Sequence, residues 1–403
     1  MVRFPQTTVD PARDSASLLR RIGFLVLLIG LPLGALASRN GTVLVFVIGV
    51  ALIALAAVFD RASRRLRESF GRLASSPALV AIAVLAGWAL LSLAWTPILR
   101  TGVFAAIGIP VLAVIAFLSL PERMRAANLY LVPVGVVIGA ATITVLSLAG
   151  STAADPEMNR RIERGLSVLV LLIWPAVAWL RSRGRDVEAL AIAGLTLIAA
   201  WAGTPGTSAV DALAFGAIAY SISHLFGRRG ASATGLALAV LVVAAPALLV
   251  WGVPLASRIA GFAGWSAVME AWREAVFQDP YRLLTGRGVG ALRSAEGNLR
   301  ELRAFGAPVL GLWYEVGAVG ALAVATALAS GLTGATAGFG PLLPALAGAT
   351  ATAFCLALFG IDGGETWWLA VVSVVVLAFV AAERGQFRTR RPRALGNRGV
   401  RSV

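Results

Sequence analysis

Residues 41–59 read GTVLVFVIGVALIALAAVF, an apolar run with no charged side chain, opened by Arg39-Asn40 and closed by Asp60-Arg61. At 1.5 Å per helical residue such a run spans about 28 Å, close to the hydrocarbon thickness of a bilayer. Working outward, eleven further apolar segments follow the same pattern, at about 22–38, 77–96, 101–120, 128–150, 165–180, 187–203, 207–226, 231–251, 306–330, 339–360 and 365–382. Each predicts a helix, because hydrocarbon offers no partner for an unpaired backbone group. The polar/apolar alternation of a lipid-facing β-barrel is absent. Composition agrees: of 403 residues 58% are hydrophobic and 14% charged, where a soluble domain carries about 25% charged residues. One soluble core cannot use that much apolar surface. The expectation is an all-α polytopic membrane protein with about twelve transmembrane helices. The stretch Ala35-Leu36-Ala37-Ser38 resembles a signal-peptidase site, but a second span follows at once, so retention of the first is expected.

Arginine sets the orientation. All 35 basic residues are Arg, against 20 acids, for a net charge of +15. With the N-terminus inside, the two tails and the inward connections hold 23 of the arginines, from Arg3 through Arg61, Arg123, Arg181 and Arg228 to Arg401. The short outward connections hold Arg39, Arg100, Arg160, Arg161 and Arg164, and one long outward loop holds seven more. The positive-inside bias therefore predicts both termini in the cytoplasm of a bacterial inner membrane. Charge of this kind serves topology, with anionic membrane lipid as its partner and no nucleic acid. One Cys (Cys355) and one His (His224) exclude a disulfide framework and a multi-His metal centre; no metal or cofactor is expected. His224 falls at the cytoplasmic end of span eight and reads as a plain interfacial residue.

The chain divides into a tail with nine spans (1–251), a long outward loop (252–305), three further spans (306–382) and a basic tail (383–403). The loop carries Phe262, Trp265, Met269, Trp272 and Val276 on one side of a helical wheel, with Glu270, Arg273 and Glu274 opposite. Such a helix is expected to lie in the membrane interface with its aromatic face toward the acyl chains, ended by Asp279-Pro280. Arg258 projects onto the apolar stripe, where it either snorkels or meets an anion such as a carrier phosphate. Leu284-Thr285-Gly286-Arg287-Gly288-Val289-Gly290 reads either as a tight turn or as backbone N–H groups turned toward an anion. Arg293, Arg300 and Arg303, interleaved with Glu296 and Glu301, read as solvated surface or as a mildly basic attractor of pyrophosphate. Span ten opens with Trp313-Tyr314-Glu315. The two aromatics fit an interfacial belt, and a carboxylate just inside a span is costly unless it is paired or functional. Glu315 is then a structural partner or an acid/base.

These residues resemble the O-antigen ligase and O-antigen polymerase superfamily over most of the chain. Ser92-Leu93-Ala94-Trp95-Thr96-Pro97 is similar to that family's Ser-x-x-Trp-Ser/Thr-Pro near the third span. Glu163-Arg164-Gly165 is similar to its Asn-Arg-Gly at the start of the sixth. Ser257-Arg258, Trp265 and the LLTGRGVG stretch resemble its Arg…Trp…Leu-x-Gly-x-Gly, and Glu315-Val316-Gly317-Ala318-Val319-Gly320 its Glu-Leu-Gly-x-x-Gly. The resemblance implies metal-independent, inverting glycan transfer at the periplasmic face, from an undecaprenyl-pyrophosphate-linked saccharide to a glycan or lipid acceptor, in surface polysaccharide or O-antigen biosynthesis. It implies Arg258 on the pyrophosphate. Two departures are plain. The family's His-Asn pair falls on Gly306 and Ala307, and its Arg at the start of span eight is replaced within Gly203-Thr204-Pro205-Gly206-Thr207-Ser208.

With the His absent, Arg258 and Glu315 are the expected catalytic pair. Arg160, Arg161, Arg164, Arg287, Arg293 and Tyr314 are the expected substrate-binding residues. Two other classes remain open: a solute permease or exporter, suggested by Asp211 within a span, and a non-catalytic member of a polysaccharide-assembly complex.

Overall fold

The computed structural model describes residues 11–60, 76–96, 107–149, 155–203, 208–256, 263–294, 307–359, 361 and 366–385. Every regular element among them is helical. Helix α1 (Pro11–Leu25) continues through a π-helical turn (Val26–Gly30) into α2 (Leu31–Ala37). Ser38 then breaks the run and caps α3 (Arg39–Phe59), its Oγ accepting from the Gly41 N–H at 2.8 Å. There follow α4 (Pro77–Ser92), α5 (Ile109–Leu118), α6 (Leu131–Leu148), α7 (Pro156–Ser182), α8 (Asp186–Ala202), α9 (Ser208–Phe226) and α10 (Arg228–Ala256). Then come α11 (Ala263–Phe277), α12 (Pro280–Thr285), α13 (Ala307–Gly338), α14 (Leu343–Phe359) and α15 (Thr366–Arg384), with single helical turns at Ala126–Leu129, Ala291–Ser294 and Gly340–Leu342.

Among the described residues nine helices are long and apolar enough to cross a membrane. The expected segments at 77–96 and 101–120 appear as the shorter apolar helices α4 and α5, and that at 187–203 as the 17-residue α8. The first span starts earlier than expected, at Asp14. Arg20 is accommodated because its guanidinium pairs with Asp60 at 2.9 Å.

Helix α7 is the hub. Its apolar window is 83% buried, against 28–61% for the other eight long helices. Around it pack α2, α6, α8, α14 and α15. Trp174 on α7 donates to Thr352 Oγ1 on α14 at 2.8 Å, and that hydroxyl donates on to the Ala212 carbonyl of α9 at 3.1 Å. Polar links between helices suit a chain whose spans gain nothing from expelling water against lipid. A second core joins α10, α11 and α13 through Leu238, Val242, Trp272, Leu292, Trp313 and Tyr314.

Side-chain contacts separate the two ends of the bundle. At one end Arg125 reaches Ser17, Arg183 donates to the Gly385 carbonyl and Arg384 to that of Leu120, beside the Arg20–Asp60 pair. At the other end of α7, Arg164 donates to the Ala35 carbonyl that closes α2. Among the described residues the Arg125, Arg183 and Arg384 contacts thus gather at one end of the bundle and the Arg164 contact at the other.

Candidate functional site

The site forms at the end opposite the cationic one, where three stretches far apart in sequence meet. Helix α13 is interrupted at Gly317, which has φ 65° and ψ −162°. A break there leaves the preceding carbonyls without helical donors, at a depth where unpaired backbone is tolerated only if protein supplies the partners. Protein does. The Arg287 N–H donates to the Tyr314 carbonyl at 2.9 Å, the Gly288 N–H to that of Glu315 at 2.8 Å, and the Trp88 indole to that of Val316 at 2.9 Å.

The loop that supplies two of these donors is the glycine stretch after α12. Gly286, Gly288 and Gly290 have φ of 73°, 97° and 85°. The Val289 N–H donates to Ser92 Oγ at 3.2 Å, and the Val289 carbonyl accepts from Thr96 Oγ1 at 2.7 Å. Three successive N–H groups, from Arg287 to Val289, are therefore committed to protein acceptors. The turn reading of this stretch holds, and the reading as an open anion nest does not, because those donors point inward.

The side chains follow from that frame. Arg287 lies over the Tyr314 ring, 4.6 Å from guanidinium carbon to centroid. It also donates to the Ala275 carbonyl at 2.6 Å and reaches Gln278 Oε1 at 3.4 Å, so it closes the C-terminal end of α11. Trp272 meets the other part of the Tyr314 ring edge-on at 6.4 Å. Glu315 Oε1 accepts from the Leu292 N–H at 3.1 Å, tying the short helix Ala291–Ser294 to α13. Trp95 sits edge-on to Trp88 at 6.0 Å, and its indole N–H is buried with no partner among the described residues.

Two expectations are corrected here. Trp313 and Tyr314 are not interfacial belt residues: both are buried, and the Trp313 indole donates to the Val242 carbonyl of α10 at 2.8 Å. Nor does the amphipathic helix turn its described apolar face to lipid. Trp272 and Val276 are buried at 0% and 4% exposure against α10 and α13, while Arg273 pairs with Glu270 on the outside at 2.6 Å. Protein offers the Trp272 face a denser and more complementary surface than acyl chains do. The Asp279-Pro280 stop does end α11, and the Asp279 carboxylate caps α12 by accepting from the Tyr281 N–H at 3.2 Å.

Of the expected site residues, Arg287, Tyr314 and Glu315 come together. Arg160, Arg161 and Arg164 lie on the first turns of α7. There Arg160 is exposed, Arg161 pairs with Glu157 at 3.4 Å, and Arg164 is buried with its Nε on the Ala35 carbonyl at 2.9 Å. Arg258, Arg300 and Arg303 lie outside the described residues, as do the side chains of Phe262, Trp265 and Arg293. Asp211 is exposed in the first turn of α9 rather than deep in a span. Sequence reasoning did not name Trp88, Ser92, Trp95 and Thr96 as site residues, though the Ser92–Pro97 signature holds three of them. Among the described residues no group of three or more His, Cys, Asp or Glu could hold a metal ion. No family model, curated protein or solved structure matches the chain.

Proposed function

We propose that the protein transfers a glycan from an undecaprenyl-pyrophosphate-linked saccharide to a glycan or lipid acceptor at the periplasmic face of a bacterial inner membrane, as a polymerase or ligase of surface polysaccharide or O-antigen. The observation that carries this reading is a convergence. The Leu283–Gly290 stretch bonds both other stretches chosen for their resemblance to one superfamily, Ser92–Pro97 through Ser92, Thr96 and Val289 and Glu315–Gly320 through Gly288 and Glu315, and Trp88, one turn before Ser92, adds a bond to the Val316 carbonyl. A chance likeness of three short strings gives no reason for them to meet.

In the proposed reaction the acceptor hydroxyl oxygen attacks the anomeric carbon. The bond from that carbon to the pyrophosphate oxygen breaks, and the carrier pyrophosphate leaves with the electron pair. Two phosphates then need fixed cationic donors, which bidentate arginines supply better than lysines. Arg258 has this role in the proposal, with Arg293 on the same loop and Arg160 and Arg161 at the start of α7 as further cations, while the Arg287 and Arg164 side chains are held by the Ala275 and Ala35 carbonyls and serve the frame of the site. Glu315 receives the hydroxyl proton, and orientation of the acceptor supplies the rest. The reading needs no metal and no cofactor.

The proposal includes twelve spans with both termini cytoplasmic. Cysteines introduced at Ser294 and Ser402 should then label from opposite faces of the membrane; labelling of both from one face overturns the topology. A deletion strain is expected to lose or shorten a surface polysaccharide and to accumulate lipid-linked precursor. Unchanged polysaccharide together with an altered pool of small solutes would replace glycan transfer with a permease reading.

A further inference from the structure

Helix α12 follows the Asp279 cap and leads directly into the glycine loop. The protein uses only one of its faces. Leu283 packs against the second core, and Arg282, turned back to the frame, reaches Asp279 at 3.9 Å and the Gly286 carbonyl at 3.4 Å. Tyr281 and Leu284, three residues apart and so on one side of the turn, are 83% and 62% exposed. This bare apolar pair belongs to a connection rather than to a span, and its depth decides what covers it.

The broken helix α13 measures that depth. Its carboxyl end lies at the end of the bundle that gathers the Arg183 and Arg384 contacts, since Thr336 and Gly340 border one cavity with Arg181 and Arg228. Arg228 and Arg229 are both exposed and mark the near edge of the apolar layer, because arginines stay out of hydrocarbon. From Gly338 back to the break at Gly317, α13 rises about 30 Å, the thickness of that layer. The Leu284 carbonyl oxygen lies against the break: a Cβ on Gly317 would stand 2.4 Å from it. A second helix gives the same level independently. Helix α10 starts at Arg228 and about 35 Å later carries Trp251, which is 77% exposed. Leu284 is therefore level with the far edge of the hydrocarbon, and Trp251 stands just beyond it, the depth at which Trp and Tyr rings concentrate.

We propose that α12 is seated in the lipid interface at this end of the bundle, with Leu284 at the acyl boundary and the Tyr281 ring at headgroup depth, its hydroxyl toward water. The partner is the bilayer itself. The interfacial role that the sequence suggests for the aromatic stripe of α11 then falls to α12, because Trp272 is covered by α10 and α13 whereas Tyr281 and Leu284 are left bare. Anchoring there holds the glycine loop, and with it Tyr314 and Glu315, at the depth of lipid headgroups.

The test places single nitroxide labels at Tyr281→Cys, Leu284→Cys, Leu248→Cys and Glu274→Cys in the full-length protein carrying Cys355→Ala, reconstituted in vesicles of phosphatidylcholine and phosphatidylglycerol. Leu248 on α10, 49% exposed one turn before Trp251, is the lipid reference, and exposed Glu274 on the polar side of α11 is the water reference. The reading is collision with dissolved oxygen, which enriches among acyl chains, relative to collision with a neutral nickel chelate, which stays in water. Leu284→Cys should give a ratio on the order of tenfold above Glu274→Cys, as exclusion of a polar chelate from an apolar layer requires, and Tyr281→Cys a value between the two references. A ratio at either position equal to that at Glu274→Cys overturns the proposal. So does shielding of Leu284→Cys from both reagents, which would put protein rather than lipid on that face. No substrate enters the measurement, so the glycan-transfer reading stands or falls by its own test.

Discussion

Gly286→Val is expected to leave little folded protein in the membrane, and Gly317→Val to do the same. Both glycines sit at positive φ with ψ near ±180°, at 73°/173° and 65°/−162°. That region is open in practice only to glycine, and holding another residue there costs about 1–3 kcal/mol. The space is closed as well. A Cβ at Gly286 would stand 2.1 Å from the Glu315 carbonyl oxygen, and one at Gly317 would stand 2.4 Å from the Leu284 oxygen and 2.6 Å from the Gly286 nitrogen. The obstacles are backbone, so no side chain can swing aside. Displacing the loop would uncover the Tyr314 and Glu315 carbonyls inside a span, adding a desolvation penalty to the strain. Gly87→Ala on α4 is the control, since nothing lies within 4 Å of its Cβ position, and it should accumulate like the parent. The measurement is the membrane-inserted, protease-resistant fraction of each variant. Gly286→Val or Gly317→Val protein at parental level with parental resistance would mean that the interlock carries no stability.

The helices were legible because hydrocarbon imposes one backbone solution, and runs such as 41–59 and 165–180 state it without ambiguity. Arginine predicts the sides; the structure gathers the Arg125, Arg183 and Arg384 contacts at one end of the bundle, and the labelling of Ser294 and Ser402 sites decides which face of the membrane that end meets. What periodicity could not give was the break at Gly317, because the segment from Val309 to Ala329 is apolar on either side of it and reads as one span. The signal lay elsewhere, in a glycine two residues after a carboxylate and a second glycine-rich stretch upstream. Their pairing is a tertiary fact that hydropathy does not encode. Trp272 failed for a related reason. An aromatic stripe on a loop helix has the same pattern whether it faces lipid or a groove between α10 and α13, and only packing decides. Arg164 shows the reverse case. Its burial at 9% exposure against the end of α2 makes it first a structural cap, which a count of arginines near a span end does not distinguish from a ligand-binding role.

Arg258→Ala is expected to reduce glycan transfer on the order of 10²–10³-fold at unchanged protein level, the scale on which loss of one fixed donor to a developing negative charge is felt. Arg258→Lys should recover only a small part, because a point charge cannot replace a two-pronged contact with pyrophosphate oxygens. Glu315→Gln is the more discriminating change. The amide keeps an oxygen able to accept from the Leu292 N–H, now 3.1 Å from Oε1, so the tie between Ala291–Ser294 and α13 survives in the variant. Proton acceptance does not. If Glu315 takes the acceptor's proton, Glu315→Gln should lower transfer by about 10²-fold or more with normal protein level and thermal midpoint. The acidic limb of the pH–rate profile should disappear with it. If Glu315 serves only to fasten the loop, Gln should behave nearly as Glu, and only Glu315→Ala, which removes the acceptor oxygen altogether, should lose both stability and transfer. Purified protein, lipid-linked saccharide and acceptor in vesicles give the rate. Near-parental transfer by Arg258→Ala would reduce that residue to a snorkelling anchor, and near-parental transfer by Glu315→Gln would make the carboxylate a structural fastener of the glycine loop.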